Sequence, residues 1–454
     1  MFDEHQKEFR ERAREMERGF LRRAGLAAVI YGSFAVLMVL LVICGIILIV
    51  REAKADPIQG QTILVVIADD ADHTIVGGKY PTAMPTVAKL RRLGTTYQRA
   101  WVPNKCAPSL ASILTGKHPR DHGRWANTMS GGGGDVDMSE SFPVILQQNG
   151  WRNYRGGKHW WPMEGSGFEV KHPGHHSEFV RNGQDHLFQW IEALATTDDA
   201  MIWWAPMLPH TPHNAPTEHL IATDFRSIQI PPEVPEENRQ ACRQAEWQFV
   251  GMHRWFDAEL RSLGLKLKEV GRDENLSVIF LMDNGYAMGR YSKNSPYEHG
   301  IRTPITIVGD GFEAGRERWE LARGLDVHAT TLQIAGLAQN QSLPSRDLSG
   351  VGPQRQAMVL GSWPSRVHTS EWSDVLLAAS ATDGDYTLIR WYGDIVQGGN
   401  NDIKLRHECL PLPLRTSGDE ELYHTAADPH QRCPIVDPQR SAALGLLINQ
   451  WITE

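Results

Sequence analysis

Three unbroken apolar runs constrain the fold more than any other feature of the chain. They are Thr62 to Ala68 (TILVVIA), Ala200 to Ala205 (AMIWWA) and Leu276 to Met282 (LSVIFLM). Runs of strand length with no polar alternation are buried on both faces, and here they alternate with helical segments, the pattern of a mostly parallel sheet covered by helices on both sides. Pro85 to Leu93 is helical in pattern, a second helix begins at Ser141 with Pro143 near its start, and Trp151 to Tyr154 adds a strand. A long amphipathic helix carries Ala241, Ala245, Phe249, Met252, Phe256, Leu260 and Leu263 on one stripe.

The residues just past each strand carry the chemistry. Thr62 to Ala68 delivers Asp69-Asp70, the strand at 151 leads into Gly157-Lys158-His159, Ala200 to Ala205 ends before Pro209-His210, and Leu276 to Met282 presents Asp283-Asn284. Ligands of open α/β sheets bind at the carboxyl ends of strands, so parallel strands bring these groups to one rim. Asp69, Asp70, Asp283 and Asn284 supply hard oxygen ligands, a set suited to Ca²⁺ or Mg²⁺ rather than zinc. Lys158, His159, His210 and Lys293 supply donors for an anion and for protonating a leaving oxygen.

Cys106 lies at the mouth of a short helix in Cys106-Ala107-Pro108-Ser109-Leu110-Ala111-Ser112-Ile113-Leu114-Thr115-Gly116. Pro108 suits the first helical position, Leu110, Ile113 and Leu114 recur at helical spacing, and Gly116 marks the stop, so Cys106 is expected just before the helix. The cysteine therefore sits at a helix N-terminus, whose partial positive charge favours a thiolate or a bound oxyanion. A dication, cationic donors and a nucleophile together describe a site for cleaving a tetrahedral oxyanion ester.

The N-terminal segment carries a different message. Residues 1–23 are charged and end in Arg18, Arg22 and Arg23; residues 24–50 are continuously apolar and long enough to span a bilayer. The arginines place the N-terminus in the cytoplasm and the rest of the chain in the periplasm or outside the cell, as a single-pass protein of the inner membrane. Ala53-Lys54-Ala55 leaves open a cleaved exported form in the same compartment. Residues 51–60 read as a linker, 61–350 as the catalytic α/β domain and 351–454 as a small C-terminal α+β domain. A net charge of −8 and the lack of long basic runs beyond the N-terminus exclude nucleic acid as the partner. Five cysteines are too few for a disulfide scaffold, and only Cys409 and Cys433 read as a plausible pair.

Together these residues resemble the sulfatases of the alkaline phosphatase superfamily. Cys106-Ala107-Pro108-Ser109 with Leu114-Thr115-Gly116 is similar to the sulfatase signature. Asp69-Asp70 and Asp283-Asn284 match the family's calcium ligands, with position 106 completing the set. Lys158 matches its Gly-Lys motif, His210 its histidine-proline motif, and Lys293 the lysine shortly before Tyr297-Glu298-His299-Gly300. Asp326 to Leu337, Glu421-Leu422-Tyr423 and Asp428-Pro429 extend the likeness. The resemblance implies an alkaline phosphatase-like fold and hydrolysis of a small-molecule or saccharide sulfate ester. It also implies a formylglycine made from Cys106 by a formylglycine-generating enzyme. Asn284 favours sulfate, because related phosphonate and phosphodiester hydrolases usually carry His there. The chain departs from the pattern twice: Leu110 stands where the family places Arg, and His159 directly follows Lys158 where the family's histidine comes two residues on. Two alternatives remain open: a catalytically impaired sulfatase-like binding protein, and a phosphoester or phosphonate hydrolase on the same scaffold.

Overall fold

The computed structural model describes residues 59–129, 136–158, 165–169, 186–286, 292–350, 354–363, 366–367, 371–393 and 415–454. All fall within one compact unit, Ile58–Glu454. The apolar run 24–50, the glycine loop at 131–134, His159 and Cys409 lie outside the described residues. Among the described residues, no helix is long and apolar enough to cross a membrane.

Seven strands form the main sheet: β1 Thr62–Ala68, β2 Thr95–Tyr97, β3 Arg152–Gly157, β4 Ala200–Ala205, β5 Leu276–Met282, β6 Ile305–Val308 and β7 Arg316–Arg318. Their order is β3-β4-β1-β5-β6-β2-β7. The β3–β4, β4–β1, β1–β5 and β2–β7 pairs are parallel, and only β6 runs against its neighbours. The expected mostly parallel sheet is therefore present, and the four strands named from the sequence lie side by side within it.

Strand periodicity splits the core into two layers. Leu64, Val66, Ala68, Ile202, Trp204, Phe280 and Met282 face one side, where Val87 of α1 (Pro85–Leu93) meets them. Phe249, Met252, Phe256, Leu260 and Leu263 of α4 (Arg239–Glu269) pack on the same side. Ile63, Val65, Ile67, Met201, Trp203, Ile279 and Leu281 face the other. There they meet α2 (Cys106–Thr115), α3 (Phe142–Gln148) and α5 (Asp326–Ile334) through Leu110, Ile113, Leu114, Phe142, Leu146, Val327 and Leu332. Consecutive strand residues point to opposite faces, so Trp203 and Trp204 go one to each core. Every residue of α2 is buried, as expected of a helix sandwiched between layers, and Gly116 stops it in a left-handed turn at φ 70°.

Two expectations need correction. Ala241 is exposed, and Cys242 takes the buried place against Val234. Cys433 is a free, exposed thiol, so it does not pair with Cys409; Cys242 is the disulfide-bonded cysteine instead. Sequence spacing cannot anticipate which thiols meet, because that depends on how distant segments fold back.

The C-terminal part carries an antiparallel sheet of β8 Met358–Ser362, β9 Ala378–Thr382, β10 Thr387–Trp391 and β11 Glu420–Tyr423. Against it packs α6 (Pro438–Thr453), through Leu444, Ile448 and Trp451. Glu421 ties this sheet to the loop at Tyr297. Its buried carboxylate accepts from Tyr297 Oη (2.7 Å), Tyr423 Oη (2.7 Å), Trp391 Nε1 (3.0 Å) and the Arg415 guanidinium. Burial alone would raise the Glu421 pKa, but Arg415 and the three neutral donors hold it below the ordinary value of 4.5.

Glu421→Ala strands these donors and should lower the unfolding free energy by about 2–4 kcal/mol at pH 7. Because the folded-state pKa is depressed, this contribution is full above pH 4.5 and fades as pH falls through the folded value. Urea titrations of both proteins at pH 7 and at pH 4 measure it; equal midpoints at pH 7 would contradict the assignment.

Candidate active site

The four adjacent parallel strands set the site. In sheet order, β3 ends at Lys158, β4 runs on to His210, β1 ends at Asp69 and Asp70, and β5 ends at Asp283 and Asn284. Adjacent residues of a strand face opposite ways, so two consecutive carboxylates do not normally share a site. The chain resolves this at Asp70, whose φ of 60° lies in the left-handed region that Asp tolerates. Gly157 does similar work before Lys158. Its φ is 96°, and a Cβ there would stand 2.0 Å from the Ala205 carbonyl oxygen, so only glycine lets the two strands stay paired through the turn.

Cys106 reaches this rim from the side as the first residue of α2. Its Sγ lies 3.3 Å from Lys158 Nζ, 3.2 Å from Lys293 Nζ, 3.6 Å from Asp69 Oδ1 and 3.9 Å from Asp70 Oδ1. Lys158 Nζ donates to Asp69 Oδ2 at 2.6 Å and Lys293 Nζ to Asp70 Oδ1 at 2.5 Å. His210 Nε2 stands 3.4 Å from Asp70 Oδ2. Its Nδ1 faces the Thr211 carbonyl oxygen at 2.8 Å, and since a carbonyl only accepts, Nδ1 carries the proton. Asp69, Asp70, Cys106, Lys158, Lys293, His210, Asp283 and Asn284 thus converge.

Two residues join them that the sequence did not signal. Asn127 Oδ1 accepts the Ala107 N–H at 3.1 Å and so caps the cysteine helix, and buried Lys105 donates to the Trp363 carbonyl at 2.5 Å. Neither lies in a periodic pattern or comes after a strand. Leu110 is buried in the apolar layer under β1.

The charges are set by burial and pairing. Burial alone would lower both lysines, but Asp69 holds the Lys158 ammonium above its ordinary value and Asp70 does the same for Lys293. Asp69 and Asp70 stay ionised because these lysines and His210 outweigh the cost of burial. Asp283 has no such partner at bonding distance. Burial, reinforced by the Asp69 carboxylate, pushes its pKa well above the carboxylate range. Burial and the Asp283 carboxylate also push the Cys106 thiol well up. The thiolate expected from the helix N-terminus is therefore not favoured: a partial helix charge is weaker than desolvation plus neighbouring carboxylates. Burial lowers His210 against the pull of Asp70, and it lowers Lys105 to about 7.

The donor set fits a hard divalent cation. Asp69, Asp70, Cys106 and Asp283 each place one donor atom within 4.8 Å of the others. Asp283 Oδ1 accepts the N–H groups of Asp70 (3.0 Å) and Asn284 (2.7 Å), while its Oδ2 is buried without a hydrogen-bond partner among the described residues. Asn284 Nδ2 donates to Asp70 Oδ1 at 2.8 Å, and its Oδ1 is likewise buried and unpartnered. Orphaned buried oxygens are costly, and a cation is the partner that satisfies several at once.

Fold and site together define an alkaline phosphatase-like α/β protein with a hard-oxygen cation site beside a helix-terminal cysteine. The chain belongs to the sulfatase family, whose sequence model matches residues 61–337. It is 24% identical over 345 residues to an N-acetylglucosamine-6-sulfatase of Capra hircus, covering 62% of this chain and 61% of that protein. The chain thus spans about three fifths of the length of the N-acetylglucosamine-6-sulfatases it matches. Among solved structures, it is similar to a protein captured with its substrate D-glucosamine-2-N,6-O-disulfate (TM-score 0.65, 15% identity, covering 86% of this chain and 97% of that one). It is also similar to a phosphonate monoester hydrolase from Silicibacter pomeroyi (TM-score 0.63, 16% identity, covering 87% and 95%).

Burial and the Asp69 carboxylate push the Asp283 pKa up, toward the protonated form, and a bound cation requires the carboxylate, so binding is expected to release a proton. Ca²⁺ affinity should rise with pH, by up to about tenfold per unit below the pKa of Asp283. Calorimetric titration in the Cys106→Ser background, in buffers of different ionisation enthalpy, reads the released proton. Asp283→Asn should abolish the release and weaken binding at least ~100-fold; affinity independent of pH would refute the arrangement.

Proposed function

We propose that this chain hydrolyses a sulfate ester, with a cation at the strand ends and the nucleophile at position 106. The observation that carries the reading is the convergence of two ammonium groups and four oxygen-ligand residues on one helix-terminal cysteine. Calcium, held by Asp69, Asp70, Asp283 and Asn284, would supply positive charge against the sulfuryl oxygens. Formylglycine at 106, once hydrated, would supply one hydroxyl to attack sulfur and a second whose proton loss expels sulfate; a thiol has no such second group. The raised pKa of Cys106 supports the same choice, since the unmodified side chain is a poor nucleophile here.

Lys158 and Lys293 stay charged and aim donors at the group on position 106, a fit for the non-bridging oxygens of a tetrahedral anion. His210 is the better acid of the two candidates for the leaving alcohol. Once protonated at Nε2, where Asp70 stabilises the charge, it gives up that proton readily because burial lowers its pKa, whereas Asp70 holds the Lys293 proton tightly. The names of the relatives and the sugar disulfate bound by one structural neighbour support a sulfated saccharide as substrate. Trp203 and Trp204 are core residues and do not serve it.

Leu110 favours a second reading. Its side chain packs in the core, where no guanidinium reaches back to position 106, so an unconverted Cys106 in an impaired, substrate-binding relative is the specific rival. Around this catalytic domain, taken as 61–350 with a C-terminal subdomain at 351–454, we read residues 1–23 as cytoplasmic and 24–50 as an inner-membrane anchor. That leaves the rest periplasmic or extracellular, a placement supported by the length and flanking charge of the apolar run.

Mass analysis of the Cys106 peptide from the native host should find the aldehyde; a wholly unmodified thiol supports the impaired relative. Aryl sulfate should turn over faster than aryl phosphate, and Cys106→Ala and Asp283→Ala should each remove activity. Sulfate turnover no faster than the Cys106→Ala background ends the sulfatase reading. His210→Ala should slow alkyl sulfates by about 100-fold and activated aryl sulfates far less, because a good leaving group needs no proton. Protease added to spheroplasts should degrade the C-terminal domain; a shielded C-terminus would invert the proposed topology.

A further inference from the structure

A second set of donor atoms converges just beyond Asp70, on residues that the proposed reaction does not use. Asp72, His73 and His299 each place one ligand atom within 4.8 Å of the others. Backbone ladders fix their proximity. Ala71 bridges Gly285, the Tyr286 N–H donates to the Ala71 carbonyl, and the Gly285 N–H donates to Gly300, beside His299. The His73 and His299 ring centroids lie 4.9 Å apart, and the His430 ring lies edge to edge with His299, centroids 5.0 Å apart and planes 3° from parallel.

The hydrogen bonds say which atoms are committed. His299 Nε2 and His430 Nδ1 are 2.7 Å apart, so one nitrogen of His299 is engaged. Its other nitrogen, Nδ1, is buried without a hydrogen-bond partner among the described residues, and so is His73 Nδ1. If His299 Nε2–H donates to His430, the Nδ1 lone pair is left free for a metal shared with Asp72 and His73. This is the pattern of a metal-bound imidazole oriented by an outer acceptor. Asp72 is equally held. Its N–H donates to His253 Nε2 at 3.2 Å, and its Oδ1 accepts from Thr74 N (2.7 Å) and Thr74 Oγ1 (2.8 Å).

We propose that Asp72, His73 and His299 form a second cation site, for Zn²⁺ or a similar borderline divalent metal, with His430 positioning His299. Two imidazoles and one carboxylate are the ligand types such metals prefer, unlike the all-oxygen calcium-type set at Asp69, Asp70, Asp283 and Asn284. Burial keeps the imidazoles neutral, with His299 lowered to about 4. Asp72 remains ionised because Lys79 and the histidines outweigh its burial. The nearest cations are already paired: Lys79 with Glu246, Arg302 with Glu298 and Arg432 with Glu233. A bound metal would clamp the turn that carries Asp69 and Asp70 to the short helix Glu298–Ile301, so the site would be structural support for the rim beside it.

The test uses the full chain saturated with Ca²⁺ and titrated with Co²⁺, whose visible ligand-field bands report nitrogen and oxygen ligands. One Ca²⁺-resistant Co²⁺ per chain, displaced by Zn²⁺, is expected in the wild type and in Asp283→Asn. His299→Ala and His73→Asn should weaken it at least ~100-fold, and His430→Ala by about tenfold or more. Zn²⁺ should raise the melting temperature of the wild type and Asp283→Asn, but of neither ligand variant. The two ligand variants back each other should one fail to fold. No Ca²⁺-resistant Co²⁺ binding, binding that vanishes in Asp283→Asn, or binding unchanged in both histidine variants would overturn the site.

Discussion

The structure depends on the parallel ladder that sets β1 between β4 and β5, with β3 beside β4. Backbone hydrogen bonding fixes four strand ends on one edge of the sheet, and each end carries part of the site. The spacing of the strands then gathers a lysine, a histidine, three aspartates and an asparagine at this edge, the long Lys158 side chain reaching across the end of β4 to Asp69 on β1. The apolar runs are therefore more than core. Their burial in two layers holds the register, and a slip by one residue would turn every strand-end group to the wrong face.

Electrostatics at the rim sharpen this. Buried carboxylates and ammonium groups are tolerable only in pairs, and Lys158–Asp69 and Lys293–Asp70 are such pairs; removing one partner of a buried pair typically costs about 3–5 kcal/mol. Asp283 is left out of the pairing, and burial together with the Asp69 carboxylate pushes its pKa up. The same burial keeps Cys106 a thiol. The surroundings of position 106 favour a neutral side chain over a thiolate.

The C-terminal sheet contributes by bracing the segments that approach the rim. The Trp363 carbonyl receives the buried Lys105 ammonium one residue before Cys106, and Glu421 gathers Tyr297, four residues after Lys293. Long-range contacts of this kind explain why the small sheet and the large one belong to one compact unit.

The sequence by itself determined the fold class and most of the rim. Fully apolar strands between helices force a parallel sheet, and residues directly after such strands must gather at its carboxyl edge, so Asp69, Asp70, Lys158, His210, Asp283 and Asn284 were legible from position alone. Lys293 was named among the cationic donors and matched by the family resemblance, but no strand delivers it, so its place at the rim was not legible from position. Other features rested on angles and distances that no spacing encodes. The left-handed turn at Asp70 points two consecutive carboxylates the same way. Leu110 turns to the core, Asn127 and Lys105 reach their partners across the fold, and Cys242 rather than Cys433 is disulfide-bonded. The meeting of His73, His299 and His430 belongs with these. Their segments are far apart in the chain, and only folding brings them into contact, since local pattern governs which way a side chain faces but tertiary packing decides what it meets.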